Sequence, residues 1–380
     1  MARRNRVSVP DGTYHVTSRI VNREMWLGDP KLKDEIVSWI YGVAAFSGVE
    51  LLAWAVLDNH FHLVVHVPVP PRELWCDPGE QPDTHAFGMR PPENRPPLWR
   101  PASVDGDGPV NGDGPASERP GAPAGGDSPL LVRPTTGFML SDEQMLERLA
   151  RLYGDSGRVE ALRRSWAAMR RAGNGGAVDA IKEGYCRRMY NLSQFVKTLK
   201  ERIAQAVNRR RGHVGHVFEG RFYSGLLEDD GEVRRLVSLY VDYNPYKARI
   251  VREDEDYAWS SFGQARGNGR HAVSCRAAYE RIHGCVWEEA RERIEAAFRE
   301  RVADEREFGR MLDEGKVRAT QDQLIHLHVP ALSRGPFIGR GAAFGRRVVA
   351  GMTRNFPRPS FRSLRWLARA VAWSDRRHVA

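Results

Sequence analysis

Two short stretches of the chain combine residue types that could do chemistry. In Asn59-His60-Phe61-His62-Leu63-Val64-Val65 the histidines are two residues apart at the mouth of an apolar run. Side chains alternate across a strand, so both imidazoles share one face while Phe61 takes the other. Cα atoms ~7 Å apart let two tilted imidazoles converge on one cation. His66 has the same parity but lies ~13 Å along the strand, too far for the same ion. The second stretch is Leu239-Tyr240-Val241-Asp242-Tyr243-Asn244-Pro245. If helical, it places Tyr240 and Asn244 at i and i+4, so that a phenol and an amide point the same way. A phenol with a pKa near ~10 is protonated at neutral pH and attacks phosphorus only with help from a base or a cation. Taken alone, a His-x-His pair is more often structural than metal-binding. A tyrosine at this spacing is more often a core-edge aromatic than a nucleophile.

The elements that must position these residues are legible from periodicity. Thr13 to Ile20 is β-branched and aromatic and follows a Pro10-Asp11-Gly12 turn, which predicts a strand. Leu32, Ile36, Ile40 and Val43 mark an amphipathic helix over 31–47 ending near Gly48. A second strand is expected at 49–57 and, after the Asp58-Asn59 turn, a third from Phe61 to Pro68. Tyr190 to Arg211 carries an apolar stripe with a cationic remainder, a strong helix. Residues 221–229 read as a fourth strand. Glu232 to Asn244 reads as a helix closed by Pro245, which disfavours helical geometry in the residue before it. The order strand, helix, strand, strand, helix, strand is that of an α+β, ferredoxin-like split βαβ fold.

That order is interrupted. Residues 70–140 are dense in Pro, Gly and Asp, bury little, and are expected to form a disordered insertion. Residues 141–183 regain helical periodicity behind Ser141-Asp142-Glu143-Gln144, shaped like a capping box. The expected organisation is thus a first half over 1–69, the two insertion segments, a second half over 184–265, and a basic, helical C-terminal region over 266–380. Within that last region a charged helix is expected from Trp287 to about Gly315. The net charge of +10 on 380 residues suits a polyanionic partner, because each phosphate neutralised releases counterions. Arg19, Arg209, Arg210, Arg211 and Arg221 are the candidate nucleic-acid contacts, each equally readable as ordinary surface charge. Four scattered cysteines offer neither a disulfide framework nor a zinc ribbon. No window is apolar enough to span a membrane, and the expectation is a soluble, cytoplasmic protein.

Five ordered blocks resemble a known family, the single-tyrosine HUH transposases, in particular the branch of REP-associated tyrosine transposases. They are YHVTSRIVNRE at 14–24, AVLDNHFHLVVHVP at 55–68, VNRRRGHVGHVFEGRF at 207–222, YVDYNPYKARIV at 240–251 and YAWSSF at 257–262. The resemblance covers roughly 150 residues. It implies a DNA-nicking and joining enzyme acting on single-stranded or hairpin DNA, with His60 and His62 binding Mg²⁺ or Mn²⁺. Tyr240 would form a 5′-phosphotyrosine link, and Asn244 would be a third ligand. Monomer and homodimer are both compatible with it. The long insertion departs from the family, and Tyr223 and Tyr243 are further candidate nucleophiles. Two other readings stand beside it: a catalytically silent, domesticated DNA-binding regulator, and a structural zinc protein.

Overall fold

A computed structural model describes residues 9–76, 136–154, 157–251, 256–313 and 337–338. The sheet is built from β1 (Gly12–Arg19), β2 (Glu50–Val56), β3 (His60–Val67) and β4 (Tyr223–Leu227), in the order β2-β3-β1-β4. All three neighbouring pairs are antiparallel. β1 and β2 are therefore mutually parallel and straddle β3, while β3 and β4 are parallel and straddle β1.

Each crossover carries a helix whose ends the sequence dictates. α1 (Pro30–Ser47) starts with Asp29 accepting from the Lys31 N–H and with Pro30 in the first turn, where its missing N–H costs nothing. It stops at Gly48, whose φ of 67° only glycine adopts readily. α5 (Leu192–Arg211) is capped by Asn191, two residues inside the expected start, and ends at Gly212. Their buried stripes, Leu32, Ile36 and Ile40 on α1 and Phe195, Leu199 and Ile203 on α5, pack together over the apolar side of the sheet. Trp54 marks that side, its indole N–H donating to Tyr41 on α1 at 3.2 Å.

The helical insertion forms α2 (Asp142–Tyr153), α3 (Gly157–Arg171) and α4 (Gly175–Cys186). The expected capping box is present, with Ser141 and Gln144 each bonded to the other's backbone N–H. α2 lies on α1. Both ends of the Pro/Gly-rich segment are built into the fold: Arg72–Leu74 form a 3-10 turn and Trp75 bridges to Phe138. The expected disorder of the rest, 77–135, falls outside the described residues.

After β4 come α6 (Gly231–Lys247), α7 (Ser261–Arg266), α8 (Ala272–His283) and α9 (Trp287–Asp313). Two expectations need correction. α6 does not close at Pro245 but runs a further turn, to Lys247. Tyr246, half-buried, stacks on Tyr243 and meets Phe298 of α9, contacts that hold this last turn against α9 although Pro245 brings no N–H. The C-terminal region is not wholly helical either. Residues Phe337–Ile338 form a short β5 parallel to β4, with Ile338 buried against the sheet edge. The remaining basic tail lies outside the described residues.

Candidate functional site

The register of β1 on β3 decides what meets the histidines. His60 faces Arg19, His62 faces Thr17, Val64 faces His15 and His66 faces Thr13. Directly opposed residues share a face, so a polar row crosses the middle of the sheet on the side away from α1. α6 covers this side, packing on β2 and β3.

The turn before His60 is fixed from several directions. Ile20 N–H donates to Asn59 O at 2.8 Å, Leu27 N–H to Asp58 O at 2.8 Å, and the Asn59 amide to Arg23 O at 3.1 Å. Lys33 of α1, itself buried, reaches Asp58 at 2.5 Å and the Tyr257 hydroxyl at 2.9 Å.

The rings of His60 and His62 are 4.9 Å apart at 74°. His60 Nδ1 lies 2.5 Å from Asn59 Oδ1. His62 Nδ1 lies 2.9 Å from His15 Nε2 and 3.0 Å from Thr17 Oγ1. With both Nδ1 atoms engaged, the Nε2 atoms are those left to ligate. Burial pushes the His15 imidazole down to about 4. At His60 burial, then the Arg19 charge, bring it to about 4 against the opposing pull of Asp58. His62 is held well below the usual range by burial first, and then by His60, His15 and Arg19. All three rings are therefore neutral at neutral pH, the form a metal ligand requires. This pair fits a cation that keeps several positions open. Among the described residues no three His, Cys, Asp or Glu side chains stand together as a metal-holding set, so a closed zinc site is not found there.

Tyr240, half-buried on α6, stands edge-on to His62 at 5.6 Å and to His15 at 5.8 Å. Tyr223 at the start of β4 also meets His15, at 6.3 Å. Tyr243, one turn on from Tyr240, is buried against Tyr246 and Phe298. Asn244 lies one turn from Tyr240 as expected, and its amide nitrogen donates to the Tyr240 carbonyl at 2.7 Å, a bond that does not engage the amide oxygen. His66 belongs to a separate buried network, with Nε2 3.0 Å from Asp11 Oδ1 and Nδ1 3.1 Å from Thr13 Oγ1.

The arginines divide. Arg19 and Arg221 are exposed, and the 213–220 loop runs along residues 19–21 by way of Val21 N–H to Val217 O and Glu219 N–H to Arg19 O. Arg211 lies 5.1 Å over the Trp26 ring. Arg209 is exposed at the end of α5, whereas Arg210 is tied to Glu35 at 2.5 Å and Asp29 at 3.7 Å. Sequence reasoning missed His15 and Thr17. The signal was present in the alternation of Tyr14-His15-Val16-Thr17, but only the register shows that this polar face meets His62.

A cavity of about 1340 Å³ lies elsewhere, lined among others by Tyr41, Trp54, His66 and Cys275, and does not include His60, His62 or Tyr240. No helix among the described residues is long and apolar enough to cross a membrane. No family model matches the chain, and no curated protein matches it. The solved structure of a REP-associated tyrosine transposase bound to a REP hairpin is similar to it at 13% identity, with a TM-score of 0.34, over 70% of this chain and 87% of that one.

Proposed function

We propose that the chain is a transposase-like single-strand DNA transesterase. Tyr240 Oη attacks a backbone phosphorus, the bond from phosphorus to the 3′ oxygen breaks, and a 5′-phosphotyrosine forms. The phenolic proton is given up and the leaving 3′ oxygen takes one, so a free 3′ hydroxyl remains; attack by a new 3′ hydroxyl reverses the exchange and rejoins DNA. The observation that carries this reading is the Tyr240 ring standing edge-on to His62, which in turn sits 4.9 Å from His60. A Mg²⁺ or Mn²⁺ ion, when bound by His60 and His62 with the Asn244 oxygen as third ligand, supplies positive charge to the scissile phosphate. The chain's own residues present two neutral imidazoles and aim a phenol beside them.

Three further features support it. The interleaved strand-helix-strand order agrees with a ferredoxin-like HUH domain. Exposed Arg19, Arg209 and Arg221 suit a backbone laid over the histidine end of β1. His60 and Tyr240 are half-buried and not enclosed, which suits a strand approaching from solvent.

The test is to incubate the full chain with labelled single-stranded hairpin DNA from beside its own gene, with Mn²⁺ or chelator. A covalent adduct that needs metal and disappears in Tyr240→Phe is expected. An adduct that survives in Tyr240→Phe moves the role to Tyr223, while binding without any adduct would make the chain a silent DNA-binding regulator.

A further inference from the structure

We infer that His15 is a positioning residue: by accepting the Nδ1 proton of His62 it fixes that ring's tautomer and leaves His62 Nε2 as the outward lone pair. Its consequence for a metal rests on the reading above; the tautomer itself does not.

His15 Nε2 and His62 Nδ1 are 2.9 Å apart, and the two rings are parallel within 7°. With one proton on each ring, a single hydrogen lies between these nitrogens, so one donates and the other accepts. Thr17 chooses between the two arrangements. Its Oγ1 is 3.0 Å from the same His62 Nδ1 and 3.5 Å from His15 Nε2. One N–H can be shared by two acceptors in a three-centre bond, whereas the single in-plane lone pair of a ring nitrogen has room for one donor. The proton therefore belongs on His62 Nδ1, with His15 Nε2 and Thr17 Oγ1 sharing it. His15 is 2% exposed and His62 4%, so bulk water does not compete for the contact.

The arrangement puts the other proton of His15 on Nδ1, a buried atom without a hydrogen-bond partner. A buried orphan of this kind is costly and persists where it serves something else. The Tyr240 and Tyr223 rings stand across His15 at 88° and 67°, orientations in which a ring N–H can meet a π face. His15 thus touches His62 and Tyr240 together and ties one ring's proton to the placement of the other. Orienting a ligand through its second nitrogen is the common way proteins hold a metal-binding imidazole, here with a histidine where a carboxylate or carbonyl is usual.

The test uses the full chain, ¹⁵N-labelled and metal-free, with long-range ¹H–¹⁵N spectra of the histidine rings, followed by Mn²⁺ titration read by electron paramagnetic resonance. His62 is expected as the Nδ1–H tautomer in wild type. His15→Gln, whose amide oxygen sits near the Nε2 position, keeps that tautomer, whereas His15→Asn falls short and shifts His62 toward Nε2–H. Mn²⁺ affinity should drop about tenfold or more in His15→Asn and recover in His15→Gln. A wild-type His62 protonated on Nε2, or identical behaviour of the two variants, overturns the assignment. Should His15→Asn fail to fold, the wild-type and His15→Gln spectra decide alone. A wild type with His62 protonated on Nδ1 that binds no Mn²⁺ would overturn the metal reading and leave His15 in its role.

Discussion

The ring of Tyr240 stands at 85° to the ring of His62, their centroids 5.6 Å apart across the contact between α6 and β3. What holds α6 at that distance is on its other side, two residues on. Asp242 is fully buried, accepts from the Tyr279 hydroxyl at 2.6 Å and lies 3.1 Å from Ser261 Oγ, which itself accepts from the Trp54 N–H at 2.8 Å. α6 is thereby pinned to α7, α8 and β2 through one carboxyl group.

That carboxyl makes stability depend on pH. Burial raises its pKa to about 7 against the lowering by Tyr279 and Ser261, while an unfolded aspartate stays near ~3.9. Protonation is favoured in the folded state, so its contribution is complete below the unfolded value and is lost as pH rises through about 7. The depressed histidines slope the other way, so the difference between wild type and Asp242→Asn isolates the effect. Urea unfolding from pH 5 to pH 8 should show wild type losing roughly 2–3 kcal/mol relative to the variant. Parallel curves would mean that Asp242 is ionised throughout.

The two candidate ligands should separate metal binding from packing. His60 is half-buried at the start of β3, whereas His62 is buried and bonded to His15 and Thr17. His60→Ala should abolish Mn²⁺ binding at a cost under about 1 kcal/mol of stability. His62→Ala should abolish it as well and cost about 2–3 kcal/mol, from the void and the stranded His15 nitrogen. Calorimetric titration with unfolding curves checks both, and a His60→Ala chain that still binds Mn²⁺ like wild type would remove His60 from the site.

How much of this was readable beforehand follows the range of the interaction. α1, β2, β3 and the capping box at Ser141 are local patterns, and they lie within two residues of where periodicity puts them. The shared face of His60 and His62 is likewise a local consequence of strand geometry. The roles of His15 and Thr17 depend on strand register, and that Tyr240 meets the histidines while Tyr243 packs on Tyr246 and Phe298 depends on which elements lie along α6. β5 comes from residues far along the chain that no window connects to β4. Pro245 shows the opposite failure, a strong local rule overridden by Tyr246 packing on Tyr243 and Phe298.

Lys33 links α1 to the turn that presents His60. Its ammonium is buried between Asp58 at 2.5 Å and the Tyr257 hydroxyl at 2.9 Å, and Tyr257 in turn donates to Val56 O at 2.6 Å. Lys33→Met leaves Asp58, itself about a third exposed, without its partner, so the cost should be about 1–3 kcal/mol, below that of a fully buried pair. Because the turn loosens, Mn²⁺ affinity should fall in the same variant. Unchanged affinity alongside lost stability would show that the turn is held by its backbone bonds alone.

Gly42 tests whether the helical insertion is a separable layer. A Cβ there would come within 2.7 Å of the Arg151 carbonyl, so α1 and α2 approach this closely only because position 42 has no side chain. The contact is backed by Met145, Leu146, Leu149 and Leu152 on the buried side of α2. Gly42→Ala must push α2 outward, and overpacking of this kind costs about 1–3 kcal/mol. Position 42 lies on the α1 face turned away from the histidines, so the loss should appear as faster amide exchange in α2 with β1 and β3 still protected, and with the DNA adduct formed as in wild type. Equal loss of protection in β3 would mean instead that the insertion and the sheet unfold as one cooperative unit, making the insertion part of what holds the histidine site together.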